Sequence, residues 1–165
     1  MVEGEERMRG SRRRLILLVI VAAASIFVLL KHILVSDEER IRKVLSEGKA
    51  AIEREDLQGV MTQVSHYYRD EYGLNYLGVR ALFKWVFEEF DDIAIHVEGM
   101  EVEILENDKG KATLLTWATA KGRDKTGYIV GGAQQPCRVI ITLEKERGKW
   151  RVIRATGVKP GEVFL

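Results

Sequence analysis

Residues 15–30, LILLVIVAAASIFVLL, carry no charge, and 12 of the 16 are Leu, Ile, Val or Phe. No feature constrains the chain more. The apolar stretch reaches Val35 when Lys31 and His32 are included. At ~1.5 Å per residue this is about 31 Å of helix, close to the ~30 Å hydrocarbon thickness of a bilayer. Twelve strongly apolar side chains at roughly −0.3 to −0.6 kcal/mol each favour insertion by about 4–7 kcal/mol. Lys31 lies near one end and can snorkel, so its charge does not reverse that balance. The expected organisation is a basic N-terminus over 1–14, a membrane helix over 15–35 with Leu15, Ile20, Phe27 and Leu30 in lipid, and a domain over 36–165.

The flanking charges set the orientation. Arg12, Arg13 and Arg14 abut the run on one side, and Asp37, Glu38 and Glu39 follow it on the other. The positive-inside rule therefore puts the N-terminus in the cytoplasm and the domain on the extracytoplasmic (periplasmic) side, as a single-pass protein. Arg40, Arg42 and Lys43 weaken the contrast. Ala22-Ala23-Ala24 offers small residues for a signal-peptide cut, but cutting there leaves Ile26–Leu30 as an exposed apolar terminus. Ser11-Arg12-Arg13 is similar to a twin-arginine signal, followed by a run that is unusually hydrophobic for one. An uncleaved anchor is the better account.

Residues 36–165 hold 20 basic and 22 acidic residues. A near-neutral balance argues against nucleic-acid binding by bulk electrostatics. One cysteine and three histidines in the whole chain exclude a disulfide scaffold and a multi-cysteine or His-rich metal site. No cofactor motif is present.

The domain reads as helices first and strands afterwards. Ser36 and Glu39 form a capping box for a helix to about Glu55, with Ile41, Val44, Leu45 and Ile52 on one face. Leu57, Val60, Met61 and Val64 mark a second helix ending near Tyr67. After Gly73, a third carries Val79, Leu82, Phe83, Val86, Phe87 and Phe90. The period then becomes two: a strand from Ile93 to Ile104 with a bulge at Gly99, a turn at 107–110, and a strand over Lys111–Ala120. A third strand is expected over Tyr128–Glu144, interrupted by Gly131-Gly132 and Pro136, and a last one over Trp150–Thr156. Short turns imply an antiparallel meander, and the order implies an α+β fold with helices packed on one face of a curved sheet.

The segments Ala50-Ala51-Ile52, Asp56-Leu57, Ser65–Tyr68 and Gly148-Lys149-Trp150-Arg151-Val152-Ile153 resemble the nuclear transport factor 2-like superfamily, which includes the SnoaL-like polyketide cyclases and the ketosteroid isomerases. The resemblance covers about residues 37–157. It implies a cystatin-like cone whose helices and bent sheet enclose a pocket, often with dimerisation through the outer sheet face.

No complete catalytic set is legible. Ketosteroid isomerases need a carboxylate base and acidic donors to an enolate oxygen. Their donor tyrosine falls near Gly48 here and their aspartate base near Tyr72, so neither group is retained. His66, Asp70 and Tyr72 crowd the end of the second helix and are the remaining catalytic candidates, a His–Asp pair being the basis for acid–base work. The competing reading makes Asp70 a solvated loop charge and His66 partly exposed. Tyr67, Tyr68, Phe83, Phe87, Trp117 and Trp150 are candidate pocket residues. His96 alternates with Ile95 and Val97 and should face solvent. Cys137 should be a small buried hydrophobe.

Two function classes follow. The first is a membrane-anchored, non-catalytic binding or assembly domain, with a protein partner, a second copy or a small hydrophobic ligand. A single span before such a domain is similar in architecture to the periplasmic assembly subunit of type IV secretion systems. The second is a SnoaL-like cyclase, isomerase or dehydratase acting on an apolar substrate.

Overall fold

A computed structural model of the chain describes residues 20, 21, 25, 36–106, 108–123 and 126–158. The chain divides into two compact units, residues 1–36 and 37–165. In the first, Ile20, Val21 and Ser25 are helical, and the Ser25 hydroxyl donates to the Val21 carbonyl at 2.8 Å. Most of the expected span, with Leu15, Phe27, Leu30 and Arg12–Arg14, lies outside the described residues. Among the described residues no helix is long and apolar enough to cross a membrane.

The second unit is α+β. Helix α1 (Asp37–Glu53) begins with three acidic residues in its first turn, where they complement the helix dipole. It ends two residues earlier than its periodicity predicts, because Glu55 takes a left-handed φ of 56° and reverses the chain. Helix α2 (Leu57–Gln63) is capped by Asp56, whose carboxylate accepts from Gly59 N at 2.9 Å. A Cβ on Gly59 would lie 2.4 Å from that carboxylate, so only glycine permits the cap.

Helix α2 stops at Gln63 rather than near Tyr67. Val64 turns extended and bridges Val152 in parallel, and Ser65 N donates to the Val152 carbonyl at 2.9 Å. The pull of the last strand outweighs local helical periodicity. Asn75 caps helix α3 (Tyr76–Glu89) through Gly78 N at 2.9 Å.

The strands are β1 (Asp91–Ile104), β2 (Lys109–Lys121), β3 (Thr126–Val130), β4 (Cys137–Glu146) and β5 (Lys149–Thr156). All pairings among them are antiparallel, in the order β1-β2-β4-β5. The expected third strand is in fact two. Strand β4 pairs with β2 from Lys109 to Thr116, and β3 pairs with β2 from Ala118 to Lys121. The break falls where Gly131 takes a φ of 55° and Gly132 bridges Gln135. A Cβ on Gly131 would meet the Cys137 backbone at 3.0 Å, so the two pieces approach closely only through glycine. The β1 register shifts between Val97 and Gly99, at the expected bulge. This shift and the β3/β4 split bend the sheet over the helices.

Three apolar clusters fill the concave side. Ile41, Ala112, Leu114, Leu143 and Trp150 form one, Met61, Val64, Tyr68 and Val79 the second, and Val86, Ile93 and Ala120 the third. The Trp150 indole N–H donates to Asp37 Oδ1 at 3.1 Å, and Lys145 Nζ reaches both oxygens of that carboxylate at 3.1 Å. The bond from Trp150, with Lys145 and Arg40 nearby, outweighs partial burial and holds the Asp37 carboxyl below its ordinary range. Glu53 accepts from Lys49 Nζ at 2.7 Å and from Ile95 N at 2.9 Å, an N–H that β2 does not use. Burial pushes the Glu53 carboxyl up, but these bonds and the Lys49 charge win, and it lies lower than usual.

Candidate functional site

The second and third clusters leave a cavity of about 320 Å³ between the helices and the bent sheet. Its helical wall is Ile52, Val79, Leu82, Phe83 and Val86, with Leu74 from the loop before the third helix. Its sheet wall is Ile93 and Ile95 from β1, Thr116 and Ala118 from β2, Ile129 and Val130 from β3, Val139 from β4, and Ala155 and Thr156 from β5. Alternation places these side chains inward: Ile95 and Ala118 are cross-strand partners on one face. The β3/β4 break lets Ile129, Val130 and Val139 all contribute.

Among the described residues two titratable groups lie at the wall, Tyr68 and Asp70. The buried Tyr68 hydroxyl donates to Asp70 Oδ2 at 3.1 Å. Burial, then the neighbouring Asp70 charge, push the Tyr68 phenol well above its ordinary value, so it stays a proton donor. Asp70 Oδ1 accepts from the backbone N–H groups of Tyr72 and Leu74, both at 2.9 Å. Three accepted bonds make this carboxylate the organiser of the 70–74 loop, not the solvated charge of the competing reading.

His66 does not join Asp70. It is exposed, its ring lies against Tyr76 at 4.3 Å between centroids with the planes tilted by 37°, and it does not line the cavity. The reason is Ser65. This side chain is completely buried, its hydroxyl donates to Glu146 Oε1 and accepts from Tyr67 N, and it turns the two following residues outward. Tyr67 is accordingly 83% exposed, and Tyr72 is exposed as well. The cluster from His66 to Tyr72 is thus divided between an outer surface and the cavity wall.

The candidate pocket residues divide similarly. Tyr68 and Phe83 line the cavity, and Phe87 packs beside Phe83 at 5.8 Å between centroids. Tyr67 faces away from it. Trp150 belongs to the first core cluster, fixed by Asp37. Trp117 lies on the outer sheet face, where its ring stacks on its cross-strand partner His96 at 3.7 Å and meets Tyr128 edge-on at 5.6 Å. Its one-residue offset from Thr116 and Ala118 forces this, since successive side chains take opposite faces. Its Nε1 is buried with no hydrogen-bond partner among the described residues. Cys137 is half-buried rather than buried. Among the described residues no group of three His, Cys, Asp or Glu side chains is placed to hold a metal ion.

Sequence reasoning missed the small residues of the wall. Ala118, Thr116 and Ala155 carry no signal of a cavity until the sheet's bend is known. The phase of β2, with Ala112, Leu114, Ala118 and Ala120 buried, is the one trace of it.

The arrangement of three helices over a bent antiparallel sheet, with a cavity between them, is the nuclear transport factor 2-like, or cystatin-like, fold. No protein-family model matches the sequence, and no curated protein does. Solved structures do match. A Novosphingobium aromaticivorans protein with a proposed aromatic ring hydroxylase assignment superposes with a TM-score of 0.63 at 18% identity, over 73% of this chain and 86% of that one. A proposed scytalone dehydratase from the same organism gives 0.61 at 9% identity, over 72% and 85%. A proposed dehydratase of the nuclear transport factor 2-like family from Streptomyces avermitilis gives 0.60 at 12% identity, over 74% and 96%. At such identities the likeness is one of fold.

Proposed function

We propose that the protein is a membrane-anchored, non-catalytic binding domain on the extracytoplasmic side, holding a small uncharged apolar molecule in its cone. The observation that carries the reading is the composition of the cavity wall. Among the described residues its only ionisable groups are Tyr68 and Asp70, and these are bonded to each other and to the loop. Such a wall favours an apolar guest by burying its surface and offers no proton acceptor and donor held apart for transfer. The anchor rests on residues 15–35 and their flanking charges.

The test is a titration of the full chain, in membranes, with the apolar fluorophore 1-aminoanthracene. Saturable one-site binding that survives His66→Ala and Tyr72→Phe is expected. Absence of binding, or turnover of an apolar substrate lost in Asp70→Asn, overturns it. The second outcome would support the SnoaL-like enzyme reading, which has in its favour that Asp70 reaches the wall at all and that the similar structures include proposed dehydratases.

A protein partner or second copy is the other part of the proposal. Leu115 is 44% and Tyr128 56% exposed on the outer sheet face beside Trp117. Crosslinking in membranes followed by mass analysis tests for a stable neighbour, and a strictly monomeric, partnerless chain argues against it.

A further inference from the structure

We infer that the domain has a second binding site, a basic groove between helix α1, the end of helix α2 and the β4–β5 turn, which holds a phosphate ester group. The groove has a volume of about 410 Å³ and shares no wall residue with the cone cavity, so it stands or falls apart from the ligand reading of the cone. Four cationic side chains line it, Arg40 and Lys43 from α1 and Lys149 and Arg151 from β5. Among the described residues Glu47 is the one carboxylate on its wall.

The fold brings these charges together from three directions. Arg40 and Lys43 are three apart on α1 and share a face. Val44 beside them packs on the core cluster of Trp150, whose buried indole also lines the groove, and this fixes α1 against β5. The β4–β5 connection has two residues, Arg147 and Gly148, with φ of 49° and 80°. Two consecutive positive φ values make the tight hairpin turn that leaves Lys149 exposed at the groove. Arg151 donates from one guanidinium nitrogen to the Thr62 carbonyl at the end of α2, which steadies the planar fork.

The neighbouring carboxylates do not discharge the groove. Arg40 lies 3.7 Å from Asp37, Lys43 3.8 Å from Glu47 and Arg151 3.8 Å from Glu146, all beyond hydrogen-bond length. Asp37 already accepts from Trp150 and Lys145, and Glu146 from Ser65. Lys149 has no ion pair among the described residues. Like charges around one hollow repel, and an anion with several oxygens relieves them. A phosphate ester matches two guanidinium forks and two ammonium groups through its charge of about −2 and its terminal oxygens, where a carboxylate brings half the charge.

The test follows backbone amides by NMR in the ¹⁵N-labelled full chain, held in phosphatidylcholine nanodiscs and titrated with glycerol 3-phosphate. Saturable one-site shifts of the Thr62, Gly148 and Lys149 amides are expected. Lys149→Ala should weaken the affinity about fivefold, as expected for losing one partly exposed charge pair, and Lys149→Arg should restore it. Lys84→Ala, an exposed lysine on α3 outside the groove, should leave it unchanged. Replacing part of the phosphatidylcholine by phosphatidylglycerol separates the sources. Shifts of the same amides without added glycerol 3-phosphate identify a lipid headgroup as the occupant, and shifts with glycerol 3-phosphate alone identify a soluble ester. No shift of these amides in either arm, or equal affinity in Lys149→Ala, overturns the inference. Loss of 1-aminoanthracene binding with these shifts intact refutes the cone reading and keeps the groove.

Discussion

Ala118 sits mid-wall on β2, nearly buried, opposite Ile95 and beside Val130. Replacing it by leucine adds three carbon groups that point into the cavity. At ~0.8 kcal/mol per buried group the transfer gain is about 2.4 kcal/mol. Fixing the new rotamers returns roughly 0.5–1 kcal/mol, leaving a net stabilisation of about 1.5 kcal/mol. Thermal unfolding should then shift upward by roughly 4–8 °C. Affinity for 1-aminoanthracene should fall at least tenfold. Calorimetry and probe titration read the two effects. Destabilisation of 1–3 kcal/mol, the usual cost of overpacking, would refute the reasoning, since it would mean that the wall already closes on itself.

Asp70→Asn keeps an acceptor for the Tyr72 and Leu74 amides and should cost less than about 1 kcal/mol, whereas Asp70→Ala strands the buried Tyr68 hydroxyl and should cost about 2–3 kcal/mol by denaturant unfolding. Asp37 and Glu53 both titrate below their ordinary values, so each stabilises the fold above its unfolded pKa and loses that contribution as the pH falls through the folded one. Unfolding midpoints should therefore drop between about pH 5 and pH 3, and the slope should flatten when Asp37→Asn and Glu53→Gln are combined. Deleting residues 12–35 should move the protein from the carbonate-resistant membrane fraction to the supernatant, and a deleted chain that stays with the membrane contradicts the anchor.

The element order was readable from the sequence because periods of 3.6 and two replace each other cleanly at Asp91. What was hidden depended on contacts distant in sequence. Helix α2 looks longer than it is because Val64 is claimed by Val152. The single strand expected over Tyr128–Glu144 breaks because β2 offers separate stretches to each half. The site was less legible still. Ser65 decides which of its neighbours point outward, and nothing near it in sequence announces Glu146 as its partner. Large aromatic residues attracted attention as pocket candidates, but the space is created by small ones. Trp150 and Trp117 serve the core and the outer face, while Ala118 and Ala155 leave the room.

Part of each end of the β1-β2-β4-β5 path is already taken up. On β1 the free amide of Ile95 is taken by the Glu53 carboxylate. On β5 the carbonyls of Val152 and Ile153 receive the amides of Ser65 and Arg69. An incoming strand would have to evict these donors and acceptors before it could extend the ladder there. Strand addition is thereby hindered at these two stretches of the sheet border.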